Sequence, residues 1–187
     1  MEASKVLSGV ALGLMLSNQA IANVSKHGIG VSVNNGGTIY YPISSRNLRI
    51  EPSLTIWSDE NKTQDTSSQF GNEFSRYDIG AGIYYNNEVT KNTFIYYGAK
   101  IGYSKEKQSS YSSSFSVETK QDGYFITPTI GAEYYITPMF SIGLDIGLFY
   151  RDIEGERVDV TFGQTTVEKT EETRYGSTTE VIVRYHF

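Results

Sequence analysis

From residue 23 onward, apolar and polar positions alternate with a period of two, in segments of about ten residues parted by polar, Gly-rich or Asn-rich stretches. Helical periodicity is nearly absent, so the pattern predicts strands throughout. Eight are expected, at roughly His27 to Val33, Thr38 to Ile43, Leu48 to Ser58, Arg76 to Asn86, Thr93 to Lys105, Gly123 to Ile136, Phe140 to Ile153 and Arg174 to Phe187. The connections Ser44 to Asn47, Asn87 to Asn92 and Thr137 to Met139 are short, whereas Asp59 to Ser75, Glu106 to Asp122 and Glu154 to Thr173 are long. Asn34 to Gly37 is the only brief connection on the long side. Short turns therefore collect at one end of an antiparallel sheet and elaborated loops at the other.

The two faces of each strand differ in kind. In the seventh, Phe140, Ile142, Leu144, Ile146, Leu148 and Tyr150 share one side, opposite Ser141, Gly143, Asp145, Gly147, Phe149 and Arg151. The sixth sets Tyr124, Ile126, Ile130 and Tyr134 against Thr127, Thr129, Gly131 and Glu133. The fourth sets Tyr77, Ile79, Ile83 and Tyr85 against Asp78, Gly80, Gly82 and Tyr84. Ten residues at about 3.3 Å each, tilted by about 40°, cover roughly 25 Å, the height of a lipid-facing band between aromatic girdles. A soluble sandwich needs no aromatic at both ends of its apolar face, and its polar face would carry Lys, Glu and Thr where this one carries Gly. The expected fold is an all-β, eight-stranded antiparallel up-and-down transmembrane barrel. Its girdle is expected at Tyr77, Tyr85, Tyr124, Tyr134, Phe140, Tyr150 and Tyr185. Pro52 and Pro128 fall inside strands, and each should force a bulge or a register shift, because each removes a ladder donor.

The chain's 16 Lys and Arg against 21 Asp and Glu are scattered singly, which argues against a nucleic-acid partner. With no Cys there is no disulfide framework, thiolate metal site or thiol nucleophile. Lys5, the apolar run Val6 to Leu16 and the Ala20-Ile21-Ala22 site read as a signal peptide over residues 1–22, leaving a barrel domain over 23–187. The run is too short to span a membrane as a helix.

Val181, Val183, Tyr185 and Phe187 share the outward face of the eighth strand. A closing strand of alternating apolar residues ending in Phe resembles the assembly signal of Gram-negative outer-membrane β-barrel proteins. The chain resembles the small eight-stranded OmpX/OmpA type over essentially all of 23–187. Thr38 to Ile43 followed by Leu48 to Leu54 looks like the early hairpin of that superfamily. The resemblance implies location in the bacterial outer membrane, contact with its lipid and lipopolysaccharide, and recognition by the barrel assembly machinery through Val183, Tyr185 and Phe187. It also implies a monomer that needs no cofactor.

Eight strands enclose a lumen that side chains fill, which excludes a porin-sized channel. Parity directs Arg49, Glu51, Asp78, Lys100, Glu133, Asp145, Arg151, Glu180 and Arg184 inward, five acids and four bases that persist there only if paired. Lys100 is expected near Asp78 and Glu133, and Arg184 near Asp145 or Glu51. A register-fixing network is preferred over a gate for a small ion conductance. His27 and His186 are expected at the periplasmic rim beside the aromatic girdle, and neither a catalytic nor a metal site is expected from them. The segments 106–122 and 154–173 alternate as well, the latter turning at Gly163-Gln164. They therefore read as hairpins that continue beyond the membrane and could meet a surface protein. The reading is a non-enzymatic surface or envelope barrel; a lipid A-modifying barrel enzyme and a secreted soluble barrel are the rivals.

Overall fold

The structure is a computed structural model that describes residues 27–33, 37–45, 47–65, 68–112 and 114–187. The leader expected over residues 1–22 lies outside the described residues. Among them are nine strands: β1 (Gly28–Val33), β2 (Gly37–Tyr40), β3 (Ile43–Ser45), β4 (Leu48–Asp65), β5 (Ser68–Thr90), β6 (Thr93–Ser112), β7 (Phe115–Thr137), β8 (Phe140–Thr161) and β9 (Gln164–His186). All pairings are antiparallel and follow chain order from β4 to β9. β1 pairs with both β9 and β2, and β2 and β3 both pair with β4, so the sheet closes on itself. β2 and β3 are two pieces of one stave, interrupted at Tyr41 and Pro42, and the barrel is the expected eight-staved one.

The ladder does not meet itself at the same height. From Thr38 the paired residues run through Thr55, Asp78, Ser104, Gly123 and Ile153 to Glu172. Across the seam, Thr38 pairs with Ser32 and Ser32 with Ile182. The ten-residue stagger between Glu172 and Ile182 is the shear of the barrel, and with eight staves it sets a strand tilt of about 40°.

The packing is inside out relative to a water-soluble protein. Ile79 is 65% exposed, and Ile101, Ile130, Leu144 and Leu148 are exposed beside it. Arg49, Glu51, Glu133 and Arg184 are 0–2% exposed. Two rings of outward aromatics bracket the apolar band. Tyr77, Tyr103, Tyr124, Tyr150 and Tyr175 form the outer ring, and Tyr41, Tyr85, Tyr97, Tyr185 and Phe187 the inner one. Tyr134 and Phe140 complete the inner ring as half-buried residues.

The prolines act differently from the expectation. Register is constant through both: Pro52 pairs with Ala81 and Pro128 with Ala99. Each proline interrupts only its other ladder, and does so without a shift. Pro52 lies opposite the break between β2 and β3, where the Tyr41 N–H still donates to the Pro52 carbonyl at 2.9 Å. β7–β8 pairing skips Thr127 and Pro128 and resumes at Thr129 in the same register. A strand residue points its N–H to one neighbour only, so one missing donor costs one ladder. The true irregularities lie at Glu88/Thr90 and Tyr135/Thr137, beside the short turns.

The strands also run further than the alternation predicts. The stretches expected as long loops are continuous ladder, so that β4–β5, β6–β7 and β8–β9 are hairpins projecting beyond the outer aromatic ring. From Tyr150 to the turn is roughly 40 Å of strand at about 3.3 Å per residue. That turn sits at Phe162 (φ 49°) and Gly163 (φ 80°), one residue before the expected Gly163-Gln164. Both residues have positive φ, the geometry of a two-residue hairpin turn.

Candidate functional site

Two charged clusters fill the lumen. The lower one is built on β4, β7, β8 and β9, whose inward positions meet at one height. Arg184 donates from Nε and Nη2 to the two oxygens of Glu51, both at 3.1 Å, and its Nη1 lies 3.4 Å from Glu133. Arg49 donates to Glu133 at 2.6 Å and lies 3.4 Å from Glu51. Two guanidiniums and two carboxylates thus form a neutral square. The Arg49 guanidinium is stacked 4.0 Å from the ring centre of Tyr96 and 5.1 Å from that of Tyr84, and Tyr96 donates its hydroxyl to Asp145. Glycines make the room: a Cβ on Gly131 would meet the Tyr96 ring at 2.5 Å, and one on Gly143 would meet Arg184 at 2.8 Å.

His186 belongs to this cluster and not to the rim. It is 2% exposed, lies over Tyr135, and its Nε2 is 2.9 Å from Ser141 Oγ, which donates to Glu133 at 2.6 Å. The same parity that sends Arg184 inward sends His186 inward. Serine, histidine and glutamate meet here in a different order from a nucleophile triad: Glu133 accepts from the serine itself and faces the same histidine nitrogen, at 3.5 Å. His27 is exposed and lies against Tyr41.

The upper cluster joins Arg151 to Glu106 and, at 3.2 Å, to Asp78, which also accepts from Ser104 at 2.5 Å. Arg174 donates to Glu106 at 2.5 Å and to Glu172 at 2.7 Å. Glu106, Gln121 and Ile153 are buried over it. The sequence pattern places Glu106 in a loop. Its inward parity becomes visible only once β6 is extended to Ser112.

Lys100 does not meet Asp78 or Glu133. It donates to the Tyr40 hydroxyl at 3.2 Å and lies 3.7 Å from Glu180, to which Tyr40 donates. The ten-residue stagger carries it to the β9 side of the lumen. Arg184 reaches Glu51, as one of its two expected partners, whereas Asp145 is taken by Tyr96. Between the clusters lies a cavity of about 740 Å³, bordered by Arg76, Lys100 and Trp57 among others.

Beyond the outer ring, six strands from β4 to β9 continue as one sheet. β4 has no described partner above Ile56 on its β2 side, and β9 has none above Ile182 on its β1 side. In β9 the Phe187 N–H points across the seam to His27 and the His186 N–H points to β8. Strand alternation then leaves odd-numbered N–H groups, including those of Lys169 and Glu171, at the open edge. Glu118 on β7 is flanked by Lys107 at 2.7 Å and Lys120 at 2.5 Å. Hydrogen bonds from those two ammonium groups hold its carboxyl below the ordinary glutamate range. Phe162 at the β8–β9 tip is 87% exposed.

A family model described as outer membrane protein beta-barrel domain matches residues 1–187. No curated protein matches the chain. Among solved structures, a major outer membrane protein from Thermus thermophilus aligns at a TM-score of 0.55 with 11% identity, covering 88% of this chain and 100% of that one. Neisserial surface protein A aligns at 0.44 with 20% identity, over 86% and 93%. The ferric yersiniabactin uptake receptor FyuA from Yersinia pestis aligns at 0.44 with 8% identity over 78% of this chain, which spans only 24% of that receptor.

Proposed function

We propose, for a chain that belongs to the outer membrane protein beta-barrel domain family and resides in the bacterial outer membrane, that it works without catalysis, as a surface protein whose projecting sheet pairs with an extended strand of a partner protein. The observation that carries this reading is the open upper edge of β9, where a ladder of backbone donors and acceptors beyond the outer ring has no described neighbour. Such an edge is a template for strand addition, and the charges it carries, among them Glu168, Lys169 and Glu171, hinder pairing with copies of itself while leaving its backbone donors and acceptors open to a partner of complementary charge. Phe162 supports the reading. A bulky residue held at positive φ and almost fully exposed is costly in isolation, and an aromatic anchor at a hairpin tip is a use that would retain it.

Extended ten-residue peptides selected from a displayed library against the barrel in phosphatidylcholine nanodiscs test it. Binding is expected to fall at least about tenfold in Lys169→Pro/Glu171→Pro, which removes two edge donors while leaving the β8 ladder intact. Binders indifferent to that variant would overturn the strand-addition reading.

Assembly would use the lipid-facing side of the closing strand, where Val183, Tyr185 and Phe187 alternate with Arg184 and His186. Phe187 also ties the seam, its N–H donating to the His27 carbonyl at 3.0 Å. Phe187→Ser keeps that backbone bond and removes only the apolar side chain. It is expected to lower the fraction of protein assembled in the outer membrane at least about threefold, which is about 0.65 kcal/mol or more in partitioning. Assembly at the wild-type level in fractionated envelopes would remove Phe187 from the signal.

A further inference from the structure

The cavity between the two charged clusters is bounded above and below, and among the described residues a piece of its wall is missing. Lys100 and Glu180 border it below, on the side of the square of Arg49, Glu51, Glu133 and Arg184, and Arg151 and Arg174, both held by Glu106, border it above. The missing wall follows from the shortness of the first hairpin and the stagger of the barrel. β1 and β2 pair up to Val33 and Gly37, and the last β1–β9 pair is Ser32 with Ile182. β9 continues upward from there without a described neighbour on that side. Tyr175 belongs to the outer aromatic ring, so the stretch from Val181 up to Tyr175 lies within the apolar band. The cavity lining records the gap: Ser177, Thr178, Thr179 and Glu180 all border it. In a closed wall only every second residue faces the lumen. Four in succession means that the strand is presented edge-on, with its peptide groups turned to the cavity.

An open sheet edge at membrane depth is not left against hydrocarbon; it persists where it lines a polar cavity. This cavity is polar in a particular way. Four cationic side chains border it against two carboxylates. Arg151 and Arg174 are engaged by Glu106, Asp78 and Glu172. Arg76 and Lys100 are not engaged in that way. Arg76 touches Asp78 only through Nε, at 3.3 Å without hydrogen-bond geometry, and its guanidinium carbon stands 5.0 Å from the centre of the Trp57 ring. The ammonium of Lys100 donates to the Tyr40 hydroxyl at 3.2 Å and stands 3.7 Å from Glu180, so that its carboxylate neighbour accepts no hydrogen bond from it. Arg151, nine-tenths buried, also leaves its Nε without a partner. Hydroxyls of Thr38, Ser53 and Thr178 complete the lining, with Phe125 and Phe149 as apolar surface.

We infer that this cavity is a binding site for a phosphomonoester headgroup, entered sideways from the outer leaflet through the notch between β9 and β4. A phosphomonoester carries a charge of about −1.5 to −2 near neutral pH and several strong acceptors. That matches two cations, Arg76 and Lys100, whose carboxylate neighbours accept no hydrogen bond from them, in a space of about 740 Å³, within the usual size of a small-ligand site. The diacyl part of such a lipid leaves through the notch and stays in the membrane, while sugar or glycerol hydroxyls meet the β9 edge.

Trp57 is the chain's single tryptophan and borders the site, so its emission reports occupancy directly. Protein in zwitterionic micelles is titrated with dihexanoyl phosphatidic acid, dihexanoyl phosphatidylcholine and inorganic phosphate. The expected result is a saturable Trp57 shift with phosphatidic acid, at least about tenfold weaker apparent affinity in Arg76→Gln, and a greater loss in Arg76→Gln/Lys100→Met. Arg76 lies above the buried square, and circular dichroism is expected to show an unchanged barrel in both variants. An equal response to phosphatidylcholine, an unsaturable response, or an Arg76→Gln variant that binds like wild type overturns the site. Saturation by inorganic phosphate at the same concentration as phosphatidic acid overturns the lateral route and makes the ligand a free anion.

Discussion

Replacing Arg184 by methionine is expected to lower the unfolding free energy of the barrel by about 3–5 kcal/mol, the cost of leaving a buried charge uncompensated. The mechanism lies in the composition of the lower cluster. Glu51 and Glu133 are 1–2% exposed, and among the described residues the full cations they face are Arg49 and Arg184. Without Arg184, two carboxylates share one guanidinium, and Arg49 cannot supply the two-pronged contact that Glu51 loses. Methionine preserves most of the volume, so packing contributes little to the loss. The double variant Arg184→Met/Glu51→Gln restores a balance of one carboxylate to one guanidinium and should recover a large part of the stability. Urea unfolding followed by Trp57 emission measures both. A loss below about 1 kcal/mol in the single variant would mean that water reaches the cluster and that the ions are not holding one another.

How much of this is legible in the sequence depends on whether a feature lives within one strand or between strands. The inward set Arg49, Glu51, Asp78, Glu133, Asp145 and Arg184 follows from parity alone, because a strand has only two faces. Which of those charges meet is decided by the stagger, and no single strand carries that information. Lys100 therefore sits beside Glu180 and not beside Asp78 or Glu133. His186 shares the parity of Arg184; its place near the chain end suggests a rim position, and parity is the better guide. The projecting hairpins are partly hidden for a physical reason. Beyond the lipid both faces meet water, so the apolar alternation that marks a strand fades, most of all along Asp59 to Ser75. Around Phe115 and Val117, and around Val158 and Val160, enough alternation survives to betray the strands. The prolines mislead if a strand is taken to need all its donors, when each residue serves one neighbour only.

Leu144→Arg and Val167→Arg form the test that separates lipid contact from mere exposure. Leu144 is 47% exposed and Val167 59%, and both lie on the outward face of paired strands. Leu144 stands midway between Phe140 and Tyr150, in the apolar band. Val167 stands on β9 well above Tyr175, beyond the outer ring. In water the two substitutions would be equally harmless, since each places a long cation on an exposed strand surface. In a bilayer the first is expected to cost about 2–4 kcal/mol, the penalty for Arg at the midplane of a barrel wall, and the second close to nothing. Equilibrium folding into phosphatidylcholine vesicles measures the difference directly. The contrast should shrink in vesicles of shorter-chain lipid, where a thinner bilayer lets the guanidinium reach the interface. Equal stabilities for the two variants in every bilayer would mean that the apolar band around Leu144 does not touch hydrocarbon, and the inside-out reading of this barrel would fail with it.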